Sequence, residues 1–247
     1  MRRFRVEPDP GGGSRVLFEL TDAHHLARVL RLGPGDLVQA LDGRGHDVTV
    51  RLVQVDAQGA AGVVVAGSAR RTESPVELTL AQGIPKGDKL ERIIRMATEL
   101  GVQRVVPLLT ARTIARPDPG RWPHRLERCR RVAREAAKQS GRAVVPEIDS
   151  PRSLEEWLAA SRPAGLLLCL WEGEAAGLTA VLPAGGVERA SVVVGPEGGL
   201  SEAEVAELRA AGAVVAGLGP RILRTETAGP VALALLQSRY GDLGSGA

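Results

Sequence analysis

Two glycine-containing segments near the carboxyl end of the chain hold the residues best suited to bind a small molecule. The first, GPEGGLS at 195–201, follows the apolar run Val192–Val194, whose three β-branched residues are typical of a strand buried on both faces. The second, LGPRILRTETA at 218–228, overlaps the end of the apolar run Ala213–Leu218. Ligands of open α/β sheets bind at the carboxyl ends of strands. The two loops are therefore predicted to form opposite walls of one pocket.

The 195–201 loop has the composition of a turn from a strand into a helix. Gly195 and Gly198 let the backbone turn sharply and approach a ligand, because no Cβ is in the way. Ser201 and Glu204 have the spacing of a capping box, which predicts that a helix begins there. The loop matches neither the dinucleotide-binding nor the P-loop pattern. A tight turn with a purely structural role is the alternative interpretation.

The second loop adds charge to the predicted pocket. Arg224 lies at its edge, where a guanidinium could grip a phosphate or a carboxylate with two hydrogen bonds. The alternative is an ion pair between Arg224 and either Glu226 or Glu197 that only shapes the loop. The two glutamates are also the nearest candidate bases for a proton-transfer step.

The first 70 residues predict a small β-barrel, because short runs with strand composition alternate with glycine-containing turns. The predicted strands are Arg15–Glu19, Leu37–Leu41, Asp47–Val55 and Ala60–Ala66. One short helix is predicted over Asp22–Leu32, with Asp22 as its cap. A polar segment that ends at Pro75 marks the boundary of this domain. The predicted division is a barrel domain at 1–70, a linker at 71–75 and a second domain at 76–247.

The second domain alternates buried-type strands with helices, which is typical of an α/β fold with a mainly parallel sheet. The predicted strands are 76–82, 102–108, 143–148, 165–170, 191–194 and 213–218. Long helices are predicted at 88–100 and 121–140, and another follows the second loop with Pro230 in its first turn. The predicted caps are Asp88 with Glu91 for the first of these helices, and Thr225 or Thr227 for the last.

The composition excludes several classes of protein. The chain has 247 residues, of which 44% are apolar and 25% charged, as in an ordinary globular protein with a buried core. No apolar run has the length of a membrane span and no signal region follows the arginine-rich start, so the cytoplasm is the expected location. Cys129, Cys169 and the four histidines have no metal-ligand spacing, so no metal is expected. With two Phe and one Tyr, an aromatic stacking platform for bases is not expected.

The helix predicted at 121–140 is the clearest candidate for binding nucleic acid outside the two loops. Seven arginines lie in residues 121–142, and such clustering suits the phosphate backbone. The amino-terminal arginines, together with Arg28 and Arg31 one helical turn apart, could extend the basic path. The alternative is a solvated helix face in an arginine-rich chain.

Several motifs, in this order along the chain, resemble those of the RsmE-type 16S ribosomal RNA uridine-N3 methyltransferases, which belong to the SPOUT superfamily. Besides the two loops, the matching motifs are His25–Arg31 (HLARVLR), Gly33–Asp36 (GPGD), Lys86–Lys89 (KGDK), Thr98–Val102 (TELGV) and Gln139–Arg142 (QSGR). The resemblance covers nearly the whole chain. It implies an α/β fold in which a small PUA-like β-barrel, which helps to bind RNA, precedes a SPOUT-type domain with a mainly parallel sheet and a deep trefoil knot. It also implies a homodimer.

The resemblance further implies S-adenosylmethionine as cofactor and one uridine of 16S ribosomal RNA, within the 30S subunit, as substrate. The implied cofactor-binding residues are Leu170, Gly195, Pro196, Glu197, Gly198, Leu218, Gly219, Ile222, Leu223, Arg224 and Thr225. The catalytic candidates are Arg224, Glu197 and Glu226. The RNA-binding candidates are Arg2, Arg5, Arg28, Arg31, Lys86, Arg128, Gln139 and Arg142.

The sequence leaves three questions open. It does not choose a catalytic base, since a positive field from arginines that acidifies the uridine would serve without one. A non-catalytic RNA-binding factor in ribosome assembly is an alternative function, although intact loops argue against it. The same chemistry on another RNA, such as transfer RNA, is a further alternative.

Overall fold

The computed structural model describes residues 4–11, 13–42, 46–56, 58–69, 73–114, 118, 120–161, 165–173 and 175–244. These residues divide into two compact units. The first unit comprises those within 1–73 and 137–145, and the second those within 74–136 and 146–247. In the described part of the chain, no helix is both long enough and apolar enough to cross a membrane.

The first unit contains a closed barrel of five strands. Its elements are β1 (Phe4–Pro8), β2 (Arg15–Phe18), α1 (Leu20–His24) with a π-helical turn at His25–Val29, β3 (Leu37–Leu41), β4 (His46–Val55) and β5 (Ala60–Ala69). The strand order around the barrel is β1-β2-β5-β4-β3. β1, which the sequence did not predict, pairs antiparallel with β2 and parallel with β3 and so closes the barrel. Inward residues such as Phe4, Val6 and Val50 form its core. The predicted barrel is confirmed.

The helix after β2 begins earlier than predicted, and Asp22 does not cap it. α1 starts at Leu20 and its N-cap residue is Glu19. Asp22 is fully buried, where its carboxylate accepts a hydrogen bond from the Arg5 backbone N–H at 3.3 Å and forms an ion pair with Lys138. The predicted cap was wrong because this carboxylate binds groups far away along the chain, which local spacing does not reveal.

The second unit contains a sheet whose strand pairs, in the described part of the chain, are all parallel. Its strands are β6 (Glu77–Gly83), β7 (Arg104–Leu109), β8 (Glu147–Ile148), β9 (Arg152–Ser153), β10 (Leu166–Leu170), β11 (Ala176–Gly177), β12 (Arg189–Val194) and β13 (Val214–Gly217). Their order in the sheet is β11-β13-β10-β12-β6-β7-β8, with β9 beside β7. Its helices are α2 (Lys89–Glu99), α3 (Trp122–Ser140, which ends in the 137–145 segment of the first unit), α4 (Leu154–Ser161), α5 (Leu178–Val181), α6 (Glu202–Ala210) and α7 (Thr225–Tyr240). The predicted α/β fold with a mainly parallel sheet is confirmed.

The local sequence pattern correctly predicted the buried face of α2 but not its cap. The predicted apolar face is fully buried and consists of Leu90, Ile93, Ile94 and Ala97. The predicted cap pair was wrong. Asp88 is the N-cap residue but makes no side-chain cap bond, and Glu91 forms ion pairs with Arg125 and Arg128 of α3. A buried carboxylate next to two guanidiniums gains more from those partners than from the helix end.

Only Glu147–Ile148 of the strand predicted at 143–148 is a strand. The N–H groups of Ala143 and Val144 donate to the carboxylate of Glu73 at 3.1 and 3.2 Å. Because a side chain takes these donors, they are not available to a neighbouring strand. α4 was not predicted either; its Leu154 and Trp157 pack into the core beside the sheet.

Candidate active site

A cavity of about 790 Å³ lies at the carboxyl ends of β10, β12 and β13. Its wall includes Trp171–Gly173, Ala175 and Gly177 after β10, residues 195–199 after β12 and residues 218–224 after β13. The first turn of α7 and Lys89 at the start of α2 complete the wall. Small-molecule sites have volumes of roughly 300–1,000 Å³, so this cavity is large enough for a nucleoside-sized ligand.

The 195–199 turn depends on glycine at two positions. A Cβ on Gly195 would lie 2.6 Å from the carbonyl carbon of Gly199. Gly199 has φ +70°, and a Cβ there would lie 2.2 Å from Oε1 of Glu172. The turn leads into α6, where the predicted capping box of Ser201 and Glu204 is confirmed by reciprocal bonds of 3.3 and 2.8 Å. The turn is therefore compact and fixed at its far end.

Thr225 links the two loops. Its buried hydroxyl donates to the Gly195 carbonyl oxygen at 2.7 Å and accepts from the side-chain amide of Gln82 at 2.9 Å. The same amide reaches the Gly195 oxygen at 3.3 Å. The prediction that Thr225 or Thr227 caps α7 was wrong, because the N-cap residue is Arg224 and no side-chain cap bond is present. The Thr225 hydroxyl is used to hold the loops together instead.

The start of α7 is shaped by Gly229 and Pro230. A Cβ on Gly229 would lie 3.2 Å from a methyl group of Leu80, so glycine lets α7 pack closely against β6. Pro230 was expected in the first turn but lies inside the helix. It has no N–H to donate to the carbonyl of Glu226, four residues earlier. The first turn of α7 therefore relies on loop contacts such as that of Thr225.

All of the residues predicted to bind the cofactor line this one cavity. Leu170 lines the cavity at the end of β10, and Leu218 and Gly219 follow β13. Ile222 is 83% exposed and lies at the rim. The contact of these residues with a cofactor stays a prediction.

A cluster of one cation and two carboxylates stands in the cavity wall. Nζ of Lys89 lies 2.9 Å from Oε1 of Glu197 and 3.5 Å from Oε2 of Glu226. The Glu197 carboxylate also accepts the backbone N–H of Lys86, at 3.1 and 3.3 Å from its two oxygens. The KGDK segment thus connects to both glycine-containing loops.

The cluster changes the ionisation of its members. The hydrogen bond to Glu197 raises the pKa of Lys89 above its ordinary value, and the charges of Glu197 and Glu226 add to this effect. Burial raises the pKa of Glu197, but the hydrogen bonds from Lys89 and the Lys86 N–H outweigh it, so the net pKa is lowered. Lys89 is therefore cationic and Glu197 anionic at neutral pH.

Arg224 is exposed and lines the cavity. Within the described ranges it forms no ion pair with Glu197 or Glu226, whose recorded cationic partner is Lys89. The alternative in which Arg224 only shapes the loop through such a pair is therefore not what the structure shows. Its guanidinium remains available to a ligand.

The cavity also contains residues that the sequence reasoning did not name. The loop after β10 contributes Trp171, Glu172 and Gly173. The end of this strand was predicted, so the strand-end rule alone would have identified this loop. Lys89 lay in a motif already recognised, but its contacts with Glu197 and Glu226 join positions more than one hundred residues apart.

The RNA-binding candidates differ in exposure. The exposed ones are Arg28, Arg31, Lys86, Arg128 and Gln139, and Arg5 is half-buried. Arg142 is buried and its guanidinium forms an ion pair with Glu73. Arg2 lies outside the described residues. Because the Arg142 guanidinium is committed to Glu73, a structural role accounts for this side chain.

The donor set fits S-adenosylmethionine. Apolar Leu170, Leu218 and Leu223 can contact a flat adenine, and backbone groups of the turns can hydrogen-bond its edge. Carboxylates such as Glu172 suit a ribose or the positive charges of the cofactor. No group of three or more His, Cys, Asp or Glu side chains that could hold a metal occurs among the described residues.

Comparison with known proteins identifies the family of the chain. A family model described as an RNA methyltransferase domain matches residues 72–237, and an RNA methyltransferase PUA domain matches residues 20–65. Ribosomal RNA small subunit methyltransferase E of Bacillus subtilis is 35% identical over 223 residues, which cover 87% of this chain and 86% of the relative. The protein of that name from Mycobacterium tuberculosis is 34% identical over 245 residues, covering 96% and 92%.

A solved structure extends the likeness to the whole fold. Ribosomal RNA small subunit methyltransferase E from Neisseria gonorrhoeae, bound to S-adenosyl methionine, has a TM-score of 0.82 and 30% identity, covering 98% of this chain and 99% of that one. A PUA-type barrel together with a methyltransferase domain defines the class as RNA methyltransferases. Within this class, the chain belongs to the family of ribosomal RNA small subunit methyltransferase E. The resemblance drawn from the motifs is confirmed.

Proposed function

We propose that this protein transfers a methyl group from S-adenosylmethionine to N3 of one uridine in the 16S ribosomal RNA of the small subunit. The main observation behind the proposal is one cavity at which the 195–201 and 218–228 loops meet. Every residue implied to bind the cofactor lines this cavity. Membership of the family supports the ribosomal substrate, and the Neisseria gonorrhoeae relative bound to S-adenosyl methionine supports the cofactor.

The cofactor, when bound, supplies an electrophilic methyl group on a positively charged sulfur. The residues that would hold it are those of the 195–199 and 218–225 segments with Leu170. Their compact turns would hold the ligand in one orientation, which is the main requirement for a transfer between two bound molecules. Thr225 keeps the two loops in register through the Gly195 carbonyl.

The uridine must lose its N3 proton before N3 can accept the methyl group. Arg224, Glu197 and Glu226 line the cavity and are the catalytic candidates. A carboxylate can take the proton, and the exposed guanidinium of Arg224 can hold an RNA phosphate or stabilise the negative charge that develops on the base.

The RNA surface, the domains and the assembly are further parts of the proposal. The exposed candidates named above would bind phosphates, with the barrel at 1–70 docking RNA, 71–75 as the linker and 76–247 as the methyltransferase domain. The trefoil knot, the homodimer, the 30S subunit as substrate and the cytoplasm as location stay predictions that the family resemblance supports.

Methyl transfer into RNA tests the proposal directly. Tritiated S-adenosylmethionine is incubated with the protein and 30S subunits, naked 16S RNA or transfer RNA, and the product nucleoside is identified by mass spectrometry. We expect N3-methyluridine with a small-subunit substrate, and less of it with Arg224→Ala. Arg239→Ala, an exposed arginine at the other end of α7, is the matched control. Methylation of transfer RNA alone would overturn the substrate, and absence of cofactor binding would favour a non-catalytic RNA-binding factor.

A further inference from the structure

The two glutamates of the cavity differ in what already binds them. Glu197 is held by the Lys86 N–H and by the Lys89 ammonium at 2.9 Å. Glu226 has only the longer contact with Lys89, at 3.5 Å. Among the described residues no other donor reaches it, and its Oε2 is buried without a hydrogen-bond partner. Buried acceptors are normally satisfied, so Glu226 is the carboxylate that still needs a donor.

We propose that Glu226 accepts the N3 proton of the uridine, that Lys89 is the positioning residue that holds this carboxylate in place, and that Glu197 holds the loop. This inference rests on the proposed function. In the step, the N3–H bond breaks, its electron pair stays on the base and the proton moves to the Glu226 carboxylate. The resulting carboxylic acid loses its proton to water after the product leaves.

The charges around Glu226 make Lys89 the decisive partner. The other charged side chains that line the cavity are Lys89, Glu172, Glu197, Arg221 and Arg224. α2, β6 and β12 pack against α7. Within α2, which is described in full, Lys89 is the one charged residue in the cavity wall. β6 and β12 carry charge only at Glu77 and Arg189, at their amino ends and away from the cavity. Of the cations, only Lys89 has a recorded contact with Glu226, and it divides its charge between two carboxylates.

Because Lys89 contacts both carboxylates, we expect two variants to shift the pH profile of kcat in opposite directions. Lys89→Met removes the Lys89 contact from Glu226 and leaves two carboxylates in the cavity wall without this cation. The acidic limb of the profile should then move up by about one pH unit. Glu197→Gln removes the competitor for Lys89, so the acidic limb should move down. Lys89→Arg keeps the cation and should follow the wild type.

Glu226→Gln should lower kcat by roughly 100-fold or more, the usual contribution of a general base. Binding of S-adenosylhomocysteine, measured by calorimetry, should stay near the wild-type value, because the amide keeps the shape of the side chain. Arg92→Met is the control, since Arg92 is an exposed cation one turn along α2 and outside the cavity. It should leave both the pH profile and binding unchanged.

The outcomes separate this inference from the proposed function. If the wild type methylates uridine but Glu226→Gln keeps full kcat, the base assignment is wrong while the function stands. If Lys89→Met and Glu197→Gln move the acidic limb in the same direction, Lys89 only supports the loops and its assignment fails. If the wild type forms no N3-methyluridine at all, the proposed function fails first.

Discussion

Thr225→Val tests whether one hydroxyl couples the two cavity loops. The substitution keeps the shape of the side chain and removes only its hydrogen bonds. The Gly195 carbonyl oxygen would lose its 2.7 Å donor and keep the 3.3 Å contact with Gln82. The Gln82 amide would lose its 2.9 Å acceptor and keep the Gly83 carbonyl at 3.0 Å.

The size of the effect follows from these remaining contacts. A buried polar group left without a partner costs about 1–3 kcal/mol. Since the Gly195 oxygen keeps one partner and the Gln82 amide keeps two, we expect the free energy of unfolding of the second unit to fall by about 1–2 kcal/mol. If binding requires the loops to be coupled, the dissociation constant for S-adenosylmethionine should rise by up to about tenfold, because tenfold corresponds to 1.4 kcal/mol.

The assay is urea unfolding followed by fluorescence, with calorimetric titration of the cofactor on the same preparations. Thr227→Val is the matched control, because Thr227 is exposed in the same turn of α7 and its hydroxyl makes no hydrogen bond to the described residues, while its backbone N–H bond to the Arg224 carbonyl is kept in the variant. Its stability and affinity should equal those of the wild type. If Thr225→Val unfolds at the same urea concentration as Thr227→Val and binds the cofactor equally well, the hydroxyl does not couple the loops and the reasoning is refuted.

Two other predictions use glycine and cysteine. Gly199→Ala and Gly212→Ala should each cost about 1–2 kcal/mol of unfolding free energy in urea, because both glycines have positive φ (+70° and +89°). Only Gly199→Ala should also weaken cofactor binding in calorimetry, because its new methyl group displaces the Glu172 carboxylate, whereas nothing lies within 4 Å at Gly212; equal affinities would contradict this. Burial raises the pKa of both Cys129 and Cys169 to about 12. A thiol reagent at pH 8 should therefore modify neither cysteine in the native protein and both in urea. Rapid labelling of the native protein would contradict this and show that the two sites open.

The sequence predicted those parts of the fold that depend on local pattern. The apolar face of α2 is visible in four residues spaced for a helix, and the capping box needs only Ser201 and Glu204, three positions apart. The glycine turns were found for the same reason, since their conformation is set by the missing Cβ. Strand ends then place the two loops at one edge of the sheet, which is why the cavity could be predicted before its geometry was known.

The contacts that the sequence could not supply join distant positions. Gln82 meets Thr225 across 143 residues and Lys89 meets Glu197 across 108. A polar residue with several possible partners gives no local sign of which one it takes. Asp22 illustrates the consequence, because its position before a helical pattern favoured a cap while burial gave it Lys138 and the Arg5 N–H.

The number of arginines in a segment does not show how many of them are available to RNA. Seven arginines in residues 121–142 predicted a basic surface, but four of them have carboxylate partners within the protein. These pairs are Arg125 and Arg128 with Glu91, Arg134 with Glu127 and Arg142 with Glu73. Arg121, Arg130 and Arg131 are exposed and have no recorded ion pair in the described part of the chain. Counterion release depends on charges that reach phosphate, so these three arginines are the ones of this segment that we expect to contribute most to RNA affinity.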